Sequence, residues 1–324
     1  MLLSHDVYSY VDYARLGGRH SLDPYLHPPL AAPGDPAFAQ VAWTDTTSAY
    51  GPLFTLATYP LAWLPVAAAV AVLKAVAALS VLGLALVVSR LAAWRGVDPL
   101  RAAAFVALNP LVLVHVVGGA HNDGLAMLLA TFAVAAILVA REASGGAALV
   151  AAVAVKASAV MVAPFALVGA AASPGNRLGH RPLRRLLLGA TLAAAVIALT
   201  AYAAFGWHWL HAFGLAGENQ GRTSHLSIPT TFARLVGWDE EGPRAIALAL
   251  YGVLVAFLLV RTWRGADWVH AAGWASLGLL LATSWLLPWY LVWALPLVAI
   301  SRDRSLQLLT LALTAYQLGA RIPL

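Results

Sequence analysis

The opening stretch of the chain, MLLSHDVYSY, contains residues that could do chemistry. If a helix begins near Ser4, then Asp6, Tyr10 and Tyr13 share one face, because residues three and four positions apart are neighbours on a helix surface. A carboxylate that faces a cavity can act as a general base and take a proton from a hydroxyl group. At a helix N-terminus, the same carboxylate is also stabilised by the helix dipole, with Ser4 as the cap. Both interpretations of Asp6 stay open on these residues alone.

A second acid of the same predicted helix, Asp12, lies three positions before Arg15. This spacing predicts a structural ion pair on the helix surface. Asp6 has no such partner nearby in the sequence, so it is the stronger candidate for a catalytic acid or base.

The stretch AHNDG places His121 and Asp123 between two apolar runs. Asn-Asp-Gly is an ordinary turn sequence, which explains Asn122 and Gly124. It does not explain His121 and Asp123, and we favour a site role for these two. Together with His5 they could suggest a metal site, and a divalent cation stays an alternative, but regular ligand spacing is missing. We therefore assign no metal ligand and expect no required cofactor.

Three cations also stand out. Lys156 lies between two apolar half-helices, where a charge is costly unless it is paired or close to water, and no acid lies within a helical turn of it in the sequence. The alternative is that its long side chain reaches the membrane surface. Arg222 and His225 lie in a polar loop, where an arginine suits phosphate oxygens but is often only solvated.

The composition indicates which elements must position these residues. The chain of 324 residues is 61% hydrophobic and 10% charged, whereas soluble domains carry about 25% charged residues. We therefore predict an all-α integral membrane protein, one multi-span domain over residues 1–324. The net charge of +6 follows the membrane loops and does not indicate nucleic-acid binding. The absence of cysteine excludes disulfides.

Residues 66–324 are predicted to form about ten transmembrane or half-spanning helices, whereas residues 1–65 form an extramembrane segment with short helices. Within that segment, GPLFTLATYPLAWLP suits an interfacial or re-entrant helix. Residues 146–172 could form one tilted helix or two short helices that meet near Lys156, and we choose the two short helices because the alternation of arginine-bearing loops requires this stretch to cross and return. The predicted spans are 66–94, 100–117, 122–140, 146–156, 157–172, 184–206, 244–262, 267–286, 288–300 and 305–321.

The distribution of arginines predicts the topology through the positive-inside rule. If span 66–94 ends in the cytoplasm, twelve of the twenty basic residues share the cytoplasmic face: Arg90, Arg95, Arg101, Arg141, Arg177, Arg181, Arg184, Arg185, Arg261, Arg264, Arg302 and Arg304. Nearly every chemically interesting residue then lies at the extracytoplasmic face of a plasma membrane.

Six stretches, in order, carry a resemblance to a known family: SHDVYSYVDYARLG, HSLDPYLHPP, SAYGPLF, AHNDGLAM, VAVKASAVMVAPF and PWYLVW. The chain resembles the GT-C glycosyltransferases, and is most similar to the polyprenol-phosphate-mannose-dependent α-(1→6)-mannosyltransferases of actinobacterial lipomannan-type glycolipids. The similarity runs over most of the chain. The DVYSY element together with DPY and HND is fairly specific to that group, whereas YGP and PWY alone are weak.

The resemblance implies an inverting glycosyltransferase with extracytoplasmic catalytic loops. Its donor would be a polyprenyl-phosphate sugar, most simply mannose, and its acceptor a hydroxyl group of a glycolipid or glycan. The family's catalytic acid corresponds to Asp6. The family places that acid after a first transmembrane helix that is missing here, so we expect a truncated or misassigned start.

The remaining candidates acquire roles from this chemistry. We assign the donor phosphate to Lys156, Arg222 and His225, because cations stabilise the charge that develops on a departing phosphate. Aromatic side chains can stack on sugar rings, although such residues at helix ends are more often interfacial anchors. The predicted substrate-binding residues are Tyr10, Tyr50, His121, Asp123, Trp289 and Tyr290.

Two other classes of function stay open. A transporter or flippase of a lipid-linked or anionic substrate would explain many spans, but it should show repeats and polar interruptions near the middle of the membrane. A non-catalytic membrane assembly protein would explain the start of the chain. It would not explain why acidic, basic and histidine side chains gather at one face.

Overall fold

The computed structural model describes residues 4–173, 181–218 and 221–320. Arg177 and the last residue of the predicted span 305–321 lie outside these ranges. The described residues form helices, turns and loops without a β-strand, which confirms the predicted all-helical fold class and fits a GT-C-like membrane protein. The α-helices are α1 Asp6–His20, α2 Pro52–Thr58, α3 Val66–Trp94, α4 Pro99–Ala107, α5 Asp123–Leu138, α6 Glu142–Val155, α7 Ala163–Ala172, α8 Pro182–Phe205, α9 His211–Glu218, α10 Ile228–Val236, α11 Glu241–Trp263, α12 Trp268–Ala282, α13 Leu295–Ala299 and α14 Arg304–Gly319.

Shorter helical turns connect these elements. A single π-helix covers Val112–Val117 among the described residues. The 3₁₀-helices are Pro29–Ala31, Phe38–Gln40, Tyr59–Trp63, Ala157–Val162, His208–Leu210 and Pro288–Trp293.

Three of the described helices, α3, α8 and α11, are long and apolar enough to cross a membrane. Helix α3 has the predicted bounds of 66–94, and its 29 residues extend about 43 Å at 1.5 Å per residue. Helices α5, α6 and α12 are apolar but shorter. The protein is therefore a membrane protein whose longest helices form a bundle with shorter ones.

The predicted break near Lys156 is confirmed. Helix α6 ends at Val155, and Lys156 itself has extended backbone angles.

Two predicted continuous spans are wrong. Span 100–117 is interrupted after α4, because Pro110 lacks an N–H group and cannot continue the helical hydrogen bonds. Span 288–300 is a 3₁₀-helix followed by α13, with prolines at both starts.

The helices alternate in direction, so their connections gather at two ends of the bundle. At one end, which we call the arginine end, Arg95 pairs with Asp267 and donates a hydrogen bond of 3.0 Å to the carbonyl of Ile300. Arg185 lies 4.0 Å from Glu142 at the same end. Helices α3 and α5 begin, and α12 ends, at the opposite end of the bundle, which we call the cavity end.

The segment before α3 packs at the cavity end through α1 and the 3₁₀-helix Tyr59–Trp63. The predicted ion pair between Asp12 and Arg15 is wrong. Arg15 instead pairs with Asp35 at 2.7 Å and donates a hydrogen bond of 2.9 Å to the carbonyl of Ala62, because the packed loop supplies better acceptors than the helix surface. His20 also contacts Asp35, at 2.8 Å.

Asp12 is left inside this packed segment. Its Oδ2 atom has no hydrogen-bond partner among the described residues. Burial, reinforced by the negative charge of Asp35, raises the pKa of Asp12 to about 7. The fold therefore disfavours the ionised form of this acid.

The proline-bounded stretch before α3 is not one helix. It forms α2 and then the 3₁₀-helix Tyr59–Trp63, and both begin with a proline in their first turn. Helix α2 touches α6 through Gly51, where an added Cβ would lie 2.0 Å from the carbonyl oxygen of Ala154. This close approach brings the loop containing Tyr50 beside the break at Lys156.

Candidate active site

A cavity of about 760 Å³ opens at the cavity end of the bundle. Six of the ten residues predicted to form the site line it: Asp6, Tyr50, Lys156, Arg222, Trp289 and Tyr290. They come from α1, the loop before α2, the break after α6, the loop before α10 and the 3₁₀-helix Pro288–Trp293. Segments far apart in the sequence thus supply an acid, two cations and an aromatic wall to one space.

Helix α1 begins at Asp6, two positions after the predicted start near Ser4. The Oγ atom of Ser4 accepts a hydrogen bond of 3.2 Å from the Asp6 N–H group, but the N-cap of α1 is His5, which makes no capping hydrogen bond with its side chain, so the prediction of Ser4 as the cap is wrong. The carboxylate receives a long hydrogen bond of 3.4 Å from Trp43 Nε1. Burial raises the pKa of Asp6, while the charge of Lys156 and the bond from Trp43 oppose that shift. Asp6 is therefore a partly accessible carboxylate with increased proton affinity.

Tyr10 and Tyr13 follow Asp6 on α1 but lie at different depths. Tyr10 is buried beneath the cavity, where its ring meets Tyr50 edge to face at 4.6 Å. Its hydroxyl donates a long hydrogen bond of 3.5 Å to Asn122 Oδ1. Tyr13 lines the cavity and donates to the carbonyl of Thr46 at 2.7 Å. Tyr10 therefore supports the aromatic wall from behind.

Lys156 has a protein partner that the sequence did not indicate. Its Nζ atom lies 2.6 Å from Asp123 Oδ2, and Trp293 Nε1 donates a hydrogen bond of 2.7 Å to the other oxygen of Asp123. Lys156 therefore needs no bound anion to offset its desolvation. Asp123, which is 0% exposed, neutralises the lysine from below the cavity floor.

His121 is buried beside Asp6. Its ring stacks on Trp289 with centroids 3.8 Å apart, and its Nδ1 atom lies 3.7 Å from Asp6 Oδ2. Neither ring nitrogen has a hydrogen-bond partner among the described residues. Burial lowers the pKa of His121, and the charge of Lys156 lowers it further. The imidazole is therefore neutral at pH 7, with one nitrogen able to donate and the other able to accept.

Arg222 covers the cavity from the loop before α10. Its guanidinium lies 4.8 Å from the ring centroid of Trp43 and 5.9 Å from that of Trp285. These aromatic faces attract the cation without consuming its hydrogen-bond donors. The side chain of His225, by contrast, is exposed and is not part of the cavity lining. The structure brings Arg222 towards Lys156 but does not bring His225 there.

Several contributing residues were not among the predicted site residues. Trp43 donates a hydrogen bond to Asp6, and Trp293 donates one to Asp123. Trp285 offers its ring face to Arg222. Arg244 donates to Ser284 Oγ at 2.8 Å beside the Arg222 loop. Local spacing could not reveal these contacts, because the partners lie between 37 and 170 positions apart. The tryptophans on their own resemble ordinary interfacial anchors.

Within residues 4–173, 181–218 and 221–320, no group of three or more histidine and acidic side chains is arranged to hold a metal ion. His5 contacts the carbonyl of Gln40 through Nδ1 at 3.1 Å. The cluster of His5, His121 and Asp123 considered from the sequence is thus not assembled in this structure.

Comparison with known proteins identifies relatives of the chain. Residues 2–173 match the sequence model of a family described as alpha-(1->6)-mannopyranosyltransferase, N-terminal domain. The chain is 31% identical over 322 residues to alpha-(1->6)-mannopyranosyltransferase A of Mycobacterium tuberculosis, an alignment that covers 92% of this chain and 61% of that protein.

Two further relatives extend this similarity. A protein of the same name from Corynebacterium glutamicum is 31% identical over 169 residues, covering 51% of this chain and 34% of the relative. A probable alpha-(1->6)-mannopyranosyltransferase from Mycolicibacterium smegmatis is 29% identical over 371 residues, covering 97% and 64%. The chain spans less than two thirds of the length of each of these relatives. No solved structure matches the chain.

Proposed function

Because the chain belongs to the alpha-(1->6)-mannopyranosyltransferase family, we propose that it transfers a mannosyl residue from a polyprenyl-phosphate donor to a hydroxyl group of a glycolipid or glycan acceptor. The relatives' names favour an α-(1→6) linkage in the product. The observation that carries the proposal is that Asp6, Lys156 and Arg222 line one cavity with aromatic walls.

The reaction is a single displacement at the anomeric carbon. The acceptor oxygen forms the new bond as the bond between that carbon and the phosphate oxygen breaks, so the configuration inverts. Asp6 accepts the hydroxyl proton, and polyprenyl phosphate leaves with the electron pair. Because phosphate is already a good leaving group, base catalysis, positioning and charge stabilisation suffice, and the proposal requires no cofactor.

Lys156 and Arg222 would hold the donor phosphate. A lysine ammonium group has three N–H donors, and Asp123 occupies one of them in a bond of 2.6 Å. The other donors can reach phosphate oxygens while the ion pair persists. Arg222 lies above the ring of Trp43, and among the described residues its guanidinium N–H groups remain free to donate to phosphate oxygens. Negative charge grows on the leaving oxygen, so both cations would stabilise the transition state more than the ground state.

The aromatic residues would bind the sugars. Tyr50, Trp289 and Tyr290 line the cavity, and their faces suit the apolar faces of pyranose rings. His121 and Asp123 act from behind this wall. His121 stacks against Trp289 and lies beside Asp6. Its neutral ring can orient the carboxylate by a hydrogen bond that tightens when substrates bind.

The distribution of arginines also supports a proposal for the orientation of the protein in the membrane. We propose a multi-pass plasma membrane protein whose cavity end faces the extracytoplasmic side and whose arginine end faces the cytoplasm. The polyprenyl chain of the donor would remain in the bilayer beside the helices. The connections that contain Arg95, Arg185 and Arg302 lie together at the end opposite the cavity, which supports this orientation.

The direct test is mannosyl transfer by the purified chain in lipid. The assay supplies labelled polyprenyl phosphomannose and a mannosylated glycolipid acceptor, and replaces the donor by a nucleotide-linked mannose in a parallel reaction. We expect transfer from the lipid donor alone. Asp6→Asn is nearly isosteric but cannot accept the proton, so the rate should fall by about 10²–10⁴ with the fold retained.

Asp45→Asn is the matched control, because Asp45 is an exposed acid near the cavity that does not line it. It should transfer mannose at the wild-type rate. Full activity of Asp6→Asn would exclude Asp6 as the base. Transfer from the nucleotide sugar alone would exclude the lipid donor.

A further inference from the structure

A second cavity, of about 310 Å³, lies at the arginine end of the bundle. The turn after α3, the first turns of α4 and the segment that leads into α14 form its walls. Helix α3 separates it from the candidate active site by nearly its whole length of 29 residues. The proposed transfer reaction does not use this cavity.

The lining of this second cavity is strongly basic. Arg101, Arg302 and Arg304 contribute three positive charges, and Asp98 is the one acid among the lining residues. The carboxylate of Asp98 caps α4, where it accepts hydrogen bonds from the N–H groups of Leu100 and Arg101 at 2.9 and 3.1 Å. The cavity therefore carries an excess of positive charge.

Two of these arginines are available to a ligand. Arg302 donates to the carbonyl of Arg95 at 2.7 Å and so forms part of the wall. Arg101 and Arg304 form neither a hydrogen bond through their side chains nor an ion pair with any described residue. Their guanidinium groups face one polar cavity and match the geometry of phosphate oxygens. Because Asp98 caps α4 and Asp303 caps α14, these arginine side chains rather than the helix dipoles would bind an anion.

Two exposed apolar side chains lie one or two positions along the chain from residues that line this cavity. Leu100, in the first turn of α4, is 79% exposed, and Trp94, at the end of α3, is 57% exposed. A tryptophan at the end of a long apolar helix is typical of the membrane interface. An anion at this site would thus sit at headgroup depth, with apolar surface beside it for acyl chains.

We propose that this cavity binds the headgroup phosphate of an anionic phospholipid through Arg101 and Arg304. Basic cavities between membrane helices are suited to such headgroups, because charge and apolar contact act together. The site would tie the connection between α3 and α4 to the start of α14. It is independent of the transfer reaction at the other end of the bundle.

The test compares lipid binding by detergent-purified protein in native mass spectrometry. Dioleoylphosphatidylglycerol is titrated against dioleoylphosphatidylcholine. We expect the wild type to prefer the anionic lipid, and the double variant Arg101→Gln with Arg304→Gln to bind it about tenfold more weakly. Both side chains are exposed, so the fold should tolerate their loss, and either single variant can replace the pair if yield falls.

The control is Arg90→Gln with Arg264→Gln, which removes the same charge from two exposed arginines outside the cavity. This control should bind phosphatidylglycerol like the wild type. Equal weakening in both double variants, or none in either, would overturn the proposal. A parallel arm adds millimolar inorganic phosphate and measures the melting temperature. Stabilisation by free phosphate, without a preference for the anionic lipid, would show that the ligand is a soluble anion instead.

Discussion

Asp6 carries the proton in the proposed reaction, so its environment should govern the pH dependence. Burial raises its pKa above the ordinary value of 3.8. The base is active only when ionised, so kcat/KM should fall as the pH drops through this raised pKa, at a higher pH than for an ordinary aspartate. A pH profile of kcat/KM with the labelled donor checks this prediction. An acid limb at or below pH 4 would contradict it.

Lys156 should influence both the rate and this acid limb. Lys156→Met alone leaves Asp123 buried without its ion-pair partner, which costs about 3–5 kcal/mol of stability. We therefore predict the outcome for Lys156→Met combined with Asp123→Asn. Turnover should fall through loss of phosphate stabilisation. The acid limb should move to higher pH, because Lys156 lowers the pKa of Asp6 more than Asp123 raises it.

Lys74→Met is the control for this pair of substitutions, since Lys74 lies on α3 and does not line the cavity. It should change neither turnover nor the pH profile. If the double variant also keeps wild-type turnover and an unshifted acid limb, the donor phosphate is held elsewhere.

Asp12 should show the opposite kind of pH effect, on stability instead of rate. Its pKa rises from 3.8 to about 7 in the folded protein. Between these values the unfolded chain loses the proton while the folded chain keeps it, so stability falls as the pH rises. Asp12→Asn removes this penalty. We expect its melting temperature to match the wild type near pH 4 and to exceed it by a few degrees at pH 8.

Thermal unfolding of both proteins between pH 4 and pH 8 measures this difference. A melting temperature of Asp12→Asn that is lower at every pH would show that the ionised carboxylate stabilises the fold. Transfer activity at a fixed pH should stay unchanged, because Asp12 does not line the cavity.

At the scale of elements, α6 and α8 pack closely because glycines face the neighbouring backbone. A Cβ added at Gly189 would lie 1.9 Å from the carbonyl oxygen of Ala143, and one at Gly146 would lie 2.1 Å from that of Leu186. Small residues that allow such approach are typical of membrane helix pairs. Gly189→Ala should therefore destabilise the protein by about 1–3 kcal/mol or more, because backbone must move.

Gly252→Ala provides the matched comparison in α11, where an added Cβ meets no atom within 4 Å. This substitution should be neutral or stabilising by up to about 1 kcal/mol, because alanine favours the helix. Chemical or thermal unfolding of the two variants in the same detergent gives the comparison. Equal stability of both variants would show that α6 and α8 do not pack as described.

The elements were predictable where one physical effect dominates. Long apolar runs predicted α3, α8 and α11 with small boundary errors, and the alternation of the arginine-bearing loops predicted the break after α6. The interruption at Pro110 was available in the sequence but was outweighed by the apolar run around it. Tertiary packing determined the rest. Arg15 could reach Asp12 on its own helix, yet a loop twenty positions away offered Asp35 in a buried site.

In the candidate site, too, the sequence predicted some residues, whereas contacts between distant segments could not be predicted. Residue type and position identified Asp6, Lys156 and Arg222, which line one cavity. The pairing of Lys156 with Asp123 was not predictable, because 33 positions separate them and no local pattern links them. His225 resembled Arg222 in its loop, but three positions along a turning chain suffice to place its side chain elsewhere.

For the whole molecule, the arrangement of two ends predicts a labelling pattern. The chain has no cysteine, so single cysteines report their own accessibility. Cysteines at Ala42 and Thr223, exposed positions at the cavity end, should react with an impermeant reagent added outside intact cells. Cysteines at Ser144 and Ser305, exposed at the arginine end, should react only after permeabilisation. The reverse pattern would place the cavity in the cytoplasm and contradict the proposed donor side.

The ion pair between Lys156 and Asp123 also affects which molecules the resting cavity selects. An unpaired lysine on a partly enclosed surface would attract any small anion of the surrounding medium, and such anions would compete with the substrate. Here the lysine is already neutralised, so free phosphate or chloride gains little from entering. A ligand that also places sugar and prenyl groups against aromatic and apolar surfaces gains binding energy that these ions lack. The buried carboxylate thus reduces the attraction of Lys156 for the common anions of its surroundings.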